Sequence, residues 1–282
     1  MDNKIGVLFS GGVDSSLVAT IAADKVKEVH LITCITQCLV APDNMKERVD
    51  FLRNKYPDTK FVHVMLSAKN VLKRLWNGEA LKDLFIAGIY RTYPCANCKL
   101  SMHIRALVYC IENNVKTLYC GANVMMSFNP EQNYKGINIL KEFYRSYGIE
   151  YDAPVFWYEN VDIMLMHRFK EFTEDKVING NILRGRSTSD EAIARGVGKG
   201  DMKLDVKNQY SSQPLCTQST YSTYFLLYFY LPLFGFDRLE NVMHRKMRSH
   251  LAAAKKEIDR YIRDRKNPVF ENTIISIDPQ NV

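Results

Sequence analysis

The sequence predicts an α/β fold, a mainly parallel sheet sandwiched by helices, with a helical C-terminal extension. Three observations carry this expectation. Short apolar runs alternate with stretches of helical periodicity from Ile5 to about Phe156. Strands that alternate with helices pair in parallel, and the helices then cover both faces of the sheet. Finally, Arg238 to Lys266 is one long amphipathic stretch with no strand pattern in it.

The elements follow in order. Ile5 to Phe9 is an apolar run long enough for one buried strand, and Asp14 to Ala23 places Leu17, Val18, Ile21 and Ala22 on one helical stripe. Glu28 to Cys34 reads as a second strand. Met45, Val49, Leu52 and Tyr56 mark a helix, and Lys60 to Leu66 alternates as a third strand. Ser67 to Ile89 carries two short apolar stripes, Val71, Leu72, Leu75 and Trp76, then Leu81, Leu84, Phe85 and Ile89. Pro94 marks a turn, after which a helix runs from about Cys98 to Asn113. Lys116 to Cys120 is the fourth strand, Ile137 to Tyr147 a helix, Tyr151 to Phe156 the fifth strand, and Val161, Leu165 and Phe169 a further helix.

No linker precedes residue 178, so the chain divides into 1–178, the sheet domain, and 179–282, a basic loop and helical region. Asn179 to Asp201 is rich in Gly, Arg, Ser and Thr and reads as a mobile basic loop that folds over a nucleotide, holds RNA phosphates or is simply solvated. Arg184, Arg186 and Lys199 are its candidate phosphate contacts. Tyr221 to Phe236, aromatic and aliphatic, packs on the sheet or across a homodimer interface. The last helix has ten Lys or Arg against four acids. It buries the stripe Leu239, Val242, Met243, Met247, Leu251, Ala254, Ile258 and Ile262 and shows a basic face, either solvated or a docking surface for RNA.

Totals narrow the function classes. With 46% hydrophobic residues the chain builds a packed core, and a net charge of +7 favours an acidic partner such as RNA while fitting a plain enzyme too. Seven cysteines with no signal sequence argue against a disulfide framework. The longest apolar run, Tyr224 to Phe234, is broken by Pro232 and too short to span a bilayer, so a cytoplasmic protein with no membrane partner is expected.

Chemistry concentrates in two places. The first is Ser10-Gly11-Gly12-Val13-Asp14-Ser15-Ser16, between the first strand and the first helix. A helix N-terminus offers unsatisfied N–H donors and partial positive charge, and so binds phosphate oxygens. Gly11 and Gly12 let the backbone approach an anion, and Ser10, Ser15 and Ser16 add hydroxyls. Asp14 is out of place in an anion site unless it caps the helix or helps hold a magnesium ion that rides on the phosphates. Neither a Gly-x-x-x-x-Gly-Lys-Ser/Thr nor a Gly-x-Gly-x-x-Gly after a strand is present.

The second is Pro94-Cys95-Ala96-Asn97-Cys98-Lys99. A Cys-x-x-Cys at a helix N-terminus favours thiolate, the form that attacks sulfur and binds zinc or iron. A redox or sulfur-carrying pair, half of a zinc site, cluster ligation and a purely structural role all remain open. Cys216 stands in a loop-like setting and makes a third candidate ligand. Cys34, Cys38, Cys110 and Cys120 read as core or wall residues.

Ser-Gly-Gly-Val-Asp-Ser-Ser resembles the pyrophosphate loop (PP-loop) of the N-type ATP pyrophosphatases. The resemblance implies an adenine nucleotide alpha hydrolase-like fold of Rossmann type and cleavage of ATP between its α- and β-phosphates, with adenylation of a substrate oxygen. On that basis Ser10, Gly11, Gly12, Val13, Asp14, Ser15 and Ser16 hold ATP and Mg2+, with Cys34, Gly121 and Asn123 as further nucleotide contacts and Asp14 catalytic. The Cys-x-x-Cys followed by a basic helix, Lys99 to Arg105, is similar to that of tRNA 2-thiocytidine and cluster-bearing 2-thiouridine synthases. This similarity implies that Cys95, Cys98 and Cys216 are catalytic ligands of a 4Fe–4S cluster, with Zn2+ the alternative metal, and that Lys99 and Arg105 meet nucleic acid. The expected reaction is adenylation followed by sulfur transfer from a sulfur donor to tRNA or a nucleobase-like small molecule. The alternatives are a 7-cyano-7-deazaguanine-synthase-like amidating ligase and a non-catalytic nucleotide- or RNA-binding adaptor. The strand end reads Gly121-Ala122-Asn123, where related thiolases carry Gly-His with acidic residues soon after.

Overall fold

In a computed structural model of the chain, the described residues are 4–36, 39–40, 45–78, 94–124, 129, 131–158, 187–198, 215–216, 233, 235–271 and 273–277. Strand β1 (Lys4–Leu8) leads through Ser10–Gly12 into helix α1 (Val13–Ala23), and β2 (Glu28–Ile35) follows. Then come β3 (Leu39–Val40), α2 (Met45–Lys55), β4 (Lys60–Ser67), α3 (Lys69–Gly78), α4 (Pro94–Glu112) and β5 (Thr117–Tyr119). The remainder is α5 (Tyr134–Arg145), β6 (Glu150–Asp152), α6 (Thr188–Ala194), β7 (Leu215–Cys216), α7 (Phe236–Asp264) and β8 (Ile274–Ile277).

Six strands form one sheet in the order β6-β5-β1-β2-β4-β8. Its first five strands are parallel, and β8 closes the β4 edge antiparallel. Val7 lies opposite Leu31 on one side and Tyr119 on the other, so the loops that follow β1, β2 and β5 leave the sheet at one edge. The chain runs outward from β1 through β2 and β4, then returns to β5 on the other side. The reversal opens a crevice beside β1 at the carboxyl ends of the strands, where sheets of this type bind ligands.

Each face of the sheet buries its own apolar cluster. On one side Leu17, Val18, Ala22, Val49 and Leu52 of α1 and α2 pack over Val7, Val29, Leu31 and Phe61. On the other, α3, α4, α5 and α7 cover Ile32, Val64, Leu66 and Leu118. The long helix α7 buries Leu239, Val242, Met243, Met247, Leu251, Ala254 and Ile258, with Ile262 packed against them. Its outer face is basic as expected, but Lys246 is fully buried, and Arg248 pairs with Glu142 at 3.1 Å.

Several expectations change in detail. The fifth strand ends at Asp152, because residues 154–157 turn and Val124 N–H donates to the Phe156 carbonyl. β8 was not expected: its Ile-Ile-Ser-Ile is too short a run to register as an element of the sheet. Within 179–201, where a loop was expected, α6 starts from a capping box. Ser187 Oγ accepts from the Asp190 N–H at 3.0 Å while the Asp190 carboxylate accepts from the Ser187 N–H at 3.3 Å. The second stripe of the 67–89 insertion, the helix around 161–169, and nearly all of Tyr221–Phe236 lie outside the described residues. So do Arg184, Arg186 and Lys199.

Candidate functional site

The turn after β1 is a tight backbone cradle. Gly11 has φ +73°, a left-handed conformation that favours glycine. Ser15 Oγ donates to the Gly12 carbonyl at 3.0 Å and accepts from the Ser10 N–H at 3.3 Å, and Ser16 Oγ donates to the same carbonyl at 2.9 Å. These bonds fix the turn. No side chain caps the helix at Gly12, so its first N–H groups stay aimed outward.

The far wall is the end of β5. A Cβ added at Gly121 would lie 3.0 Å from Ser15 N and 3.1 Å from the Asp14 carbonyl carbon. Both are backbone atoms, so only glycine lets β5 come this close to the loop. Two residues on, Asn123 is fully buried and its Nδ2 donates to Asp14 Oδ2 at 3.1 Å. Asn123 thus holds Asp14 and does not border the cavity, which revises the direct nucleotide contact expected of it. Burial raises the Asp14 pKa above the usual carboxylate value, opposed by Thr188 of α6 and by the Asn123 amide. The Thr188 hydroxyl faces the carboxylate without closing a hydrogen bond to it.

Between these walls lies a cavity of about 330 Å³, within the size range of small-molecule sites. Ser10, Gly12, Asp14 and Ser15 border one part of it. Thr33 and Cys34 at the end of β2, Cys120 to Ala122 after β5, and Lys99, Met102 and His103 of α4 border the rest. Gly11, Val13 and Ser16 do not border the cavity. Cys34 is a wall residue, its thiol donating to the Met102 carbonyl at 3.4 Å and pushed up to about 12 by burial.

Cys95 and Cys98 occupy the first turn of α4, one turn earlier in the helix than its expected body. Cys95 is half-buried. Cys98 is buried, with its Sγ 3.2 Å from Thr36 Oγ1 just beyond β2. The backbone of Cys216 pairs with Leu39 across the small antiparallel sheet β3–β7, three residues beyond Thr36. The Cys216 side chain lies outside the description. Among the described residues no three Cys, His, Asp or Glu side chains are grouped to hold a metal.

Lys99 borders the cavity and pairs with Glu131 at 3.6 Å. Glu131 is buried, and neither of its carboxylate oxygens accepts a hydrogen bond from any described residue. Arg105 does not fit the nucleic-acid contact expected of it. Its guanidinium is buried behind α4, donates to Thr273 Oγ1 at 2.7 Å and pairs with Glu112 at 3.5 Å. Sequence reasoning missed Glu131, Thr188 and His103. An isolated Glu, Thr or His in a polar or amphipathic stretch carries no signal of its own.

A family model described as asparagine synthase matches residues 1–71, the segment from β1 through the Ser10–Ser16 loop to β4 and the start of α3. That match covers the first quarter of the chain and includes the whole of the Ser10–Ser16 loop. The mostly parallel six-stranded sheet is consistent with the adenine nucleotide alpha hydrolase fold. No curated protein sequence matches this chain significantly. Among solved structures it is similar to a predicted subunit of tRNA methyltransferase from Methanocaldococcus jannaschii, with 21% identity over 60% of this chain and 74% of that one and a TM-score of 0.36. It is similar to the U34-tRNA thiolase NcsA from Methanococcus maripaludis, solved with its 4Fe–4S cluster, at 14% identity over 92% and 74% of the two chains, TM-score 0.41. It is also similar to NMN synthetase from Francisella tularensis, at 13% identity over 87% of each chain, TM-score 0.34. Among the described residues no helix is long and apolar enough to cross a membrane.

Proposed function

We propose that this protein adenylates a carbonyl oxygen of a nucleic-acid base with ATP, releases pyrophosphate, and replaces that oxygen with sulfur delivered at the Cys-x-x-Cys turn. One observation carries the reading. The phosphate loop and the helix that starts with Cys95 and Cys98 border a single cavity, entered by Asp14 and Ser15 from one element and by Lys99 from the other.

In this reading the substrate oxygen attacks the α-phosphorus, the bond to the β-phosphate breaks, and pyrophosphate leaves. The N-terminal amides of α1 neutralise phosphate charge, and Asp14 would hold a magnesium ion that would offset more of it. A sulfur nucleophile then adds to the activated carbon and AMP departs. The two thiols of α4 fit a sulfur-handling role, since one is half-exposed and the other sits at the end of β2. A 4Fe–4S cluster on Cys95 and Cys98 needs a third ligand. The pairing of Cys216 with Leu39 supports its candidacy through the backbone alone. Such a cluster would supply an open iron for a substrate sulfide. The expected partners are tRNA, through the basic face of α7, and a sulfur donor.

The test is pyrophosphate release from ATP and Mg2+ with bulk tRNA and sulfide, on protein purified without oxygen, beside iron and acid-labile sulfide content. Release that depends on tRNA and is lost in Asp14→Ala, with iron and sulfide lost in Cys95→Ser, supports the reading. Pyrophosphate release with ammonia in place of sulfide, on a protein that holds zinc, replaces it with the amidating alternative. RNA binding indifferent to Asp14→Ala, with no pyrophosphate release, replaces it with the adaptor.

A further inference from the structure

His103 borders the same cavity, and its ring is locked by Tyr144. The Tyr144 hydroxyl donates to the His103 carbonyl at 2.9 Å. Its one hydrogen is thereby used, so its oxygen accepts from His103 Nδ1, 3.1 Å away. The proton therefore sits on Nδ1, and Nε2 presents a bare lone pair. Nε2 makes no hydrogen bond among the described residues and is not among the polar atoms sealed from solvent. Tyr151 meets the ring edge-on at 5.4 Å and stacks on Tyr144 at 4.9 Å, which leaves the imidazole little room to flip.

We propose that His103 Nε2 is a specificity-determining acceptor, which takes a hydrogen bond from an N–H on the edge of the planar heterocycle that fills the cavity. The surroundings suit such a ligand. Leu8, Ile32, Met102 and Ile137 supply apolar walls, and the loop that would hold phosphates borders the same space. A charged imidazole would be a donor at both nitrogens and would reject an N–H. Burial and the neighbouring Lys99 ammonium push its pKa down to about 3, so it stays an acceptor at neutral pH. The same low basicity makes it a reader of the ligand rather than a base that removes its proton. Two ligands carry the required group, the adenine of ATP through its exocyclic amine and the acceptor base through a ring N–H beside the reacting carbonyl. The inference rests on the PP-loop reading of the cavity and deepens it.

The experiment measures binding to wild type and to His103→Leu by calorimetry with Mg2+ present. ATP is compared with purine riboside triphosphate, which lacks the exocyclic amine, and uridine with N3-methyluridine, which lacks the ring N–H. A preference of roughly tenfold for the N–H partner of one pair, lost in His103→Leu, supports the proposal and identifies the source. An equal preference in both proteins, or none in either pair, overturns it while leaving the ATP reading intact. Absence of any ATP binding to wild type overturns both. Nitrogen NMR of wild-type imidazole needs no substitution. Nε2 should resonate as an unprotonated acceptor at pH 6–8 and shift when the preferred ligand binds, and a protonated Nε2 in the free protein overturns the proposal.

Discussion

The Asn123 side-chain amide donates to the Asp14 carboxylate at 3.1 Å, which ties the end of β5 to the first turn of α1. An acid in a phosphate cradle is a repulsive group, and this contact shows how the fold holds it in place before a cation arrives.

Burial raises the Asp14 pKa, so the folded protein binds this proton more tightly than the unfolded chain. Stability should therefore fall as pH rises from the ordinary carboxylate range through the folded pKa. Asp14→Asn removes that slope and should raise the melting temperature of the nucleotide-free protein at pH 8 relative to wild type. Its pyrophosphate release should drop by about 100-fold or more. Asn123→Ala should cost roughly 1–3 kcal/mol, more at pH 8 than at pH 5, because the ionised carboxylate loses a donor. Denaturant melts at the two pH values check both.

Gly121→Ala should disturb the loop without touching the core. The new methyl group meets backbone at 3.0 and 3.1 Å, which cannot swing aside as a side-chain end could. The loop must shift, at a cost of about 1–3 kcal/mol, and ATP affinity should fall with it. Calorimetry and a thermal melt together test this, and an unchanged affinity for ATP would count against the loop as the phosphate site.

Lys99 and Glu131 should be strongly non-additive. Lys99→Met leaves a buried carboxylate with neither its cation nor a hydrogen bond from the described residues. The expected cost is about 2–3 kcal/mol, less than for a fully buried pair because a third of the Lys99 side chain is in solvent. Glu131→Gln in the same chain should recover most of it. A double-mutant cycle in urea measures the coupling, and additive effects would show that the pair contributes nothing.

Thiol reactivity should separate the cysteines. Burial pushes the Cys34 thiol up to about 12 and raises Cys110 and Cys120 as well, although Tyr151 donates to Cys120 Sγ. At pH 8 these three carry almost no thiolate. Iodoacetamide should label half-buried Cys95 in the native protein well before any of them, and peptide mass mapping reads the order.

The parallel core was legible because each strand from Ile5 to Tyr119 is a local apolar run and each helix a local stripe. The phosphate loop was legible because its residues are contiguous. What stayed hidden depends on contacts distant in sequence. Asn123 looked like a ligand contact, yet a neighbour 109 residues away claims its amide. Arg105 looked like part of a basic helix, but Thr273 and Glu112 draw its guanidinium into the interior. His103 gave no signal because its role depends on which of its two nitrogens Tyr144 engages. Asn179–Asp201 was read as loop from its Gly and Arg content, although Ser187 and Asp190 have the spacing of a capping box.

The antiparallel pairing of β8 with β4 also bears on how the chain is made. Until residues 274–277 have been synthesised, Met65 and Leu66 lie on an open strand edge, although the strands from β1 to β6 can already assemble. During that interval the nascent sheet can accept any extended segment along β4, including the β4 of another nascent copy. The β8 strand covers that β4 edge once it is made, and its loss should show first as polymer formation during expression.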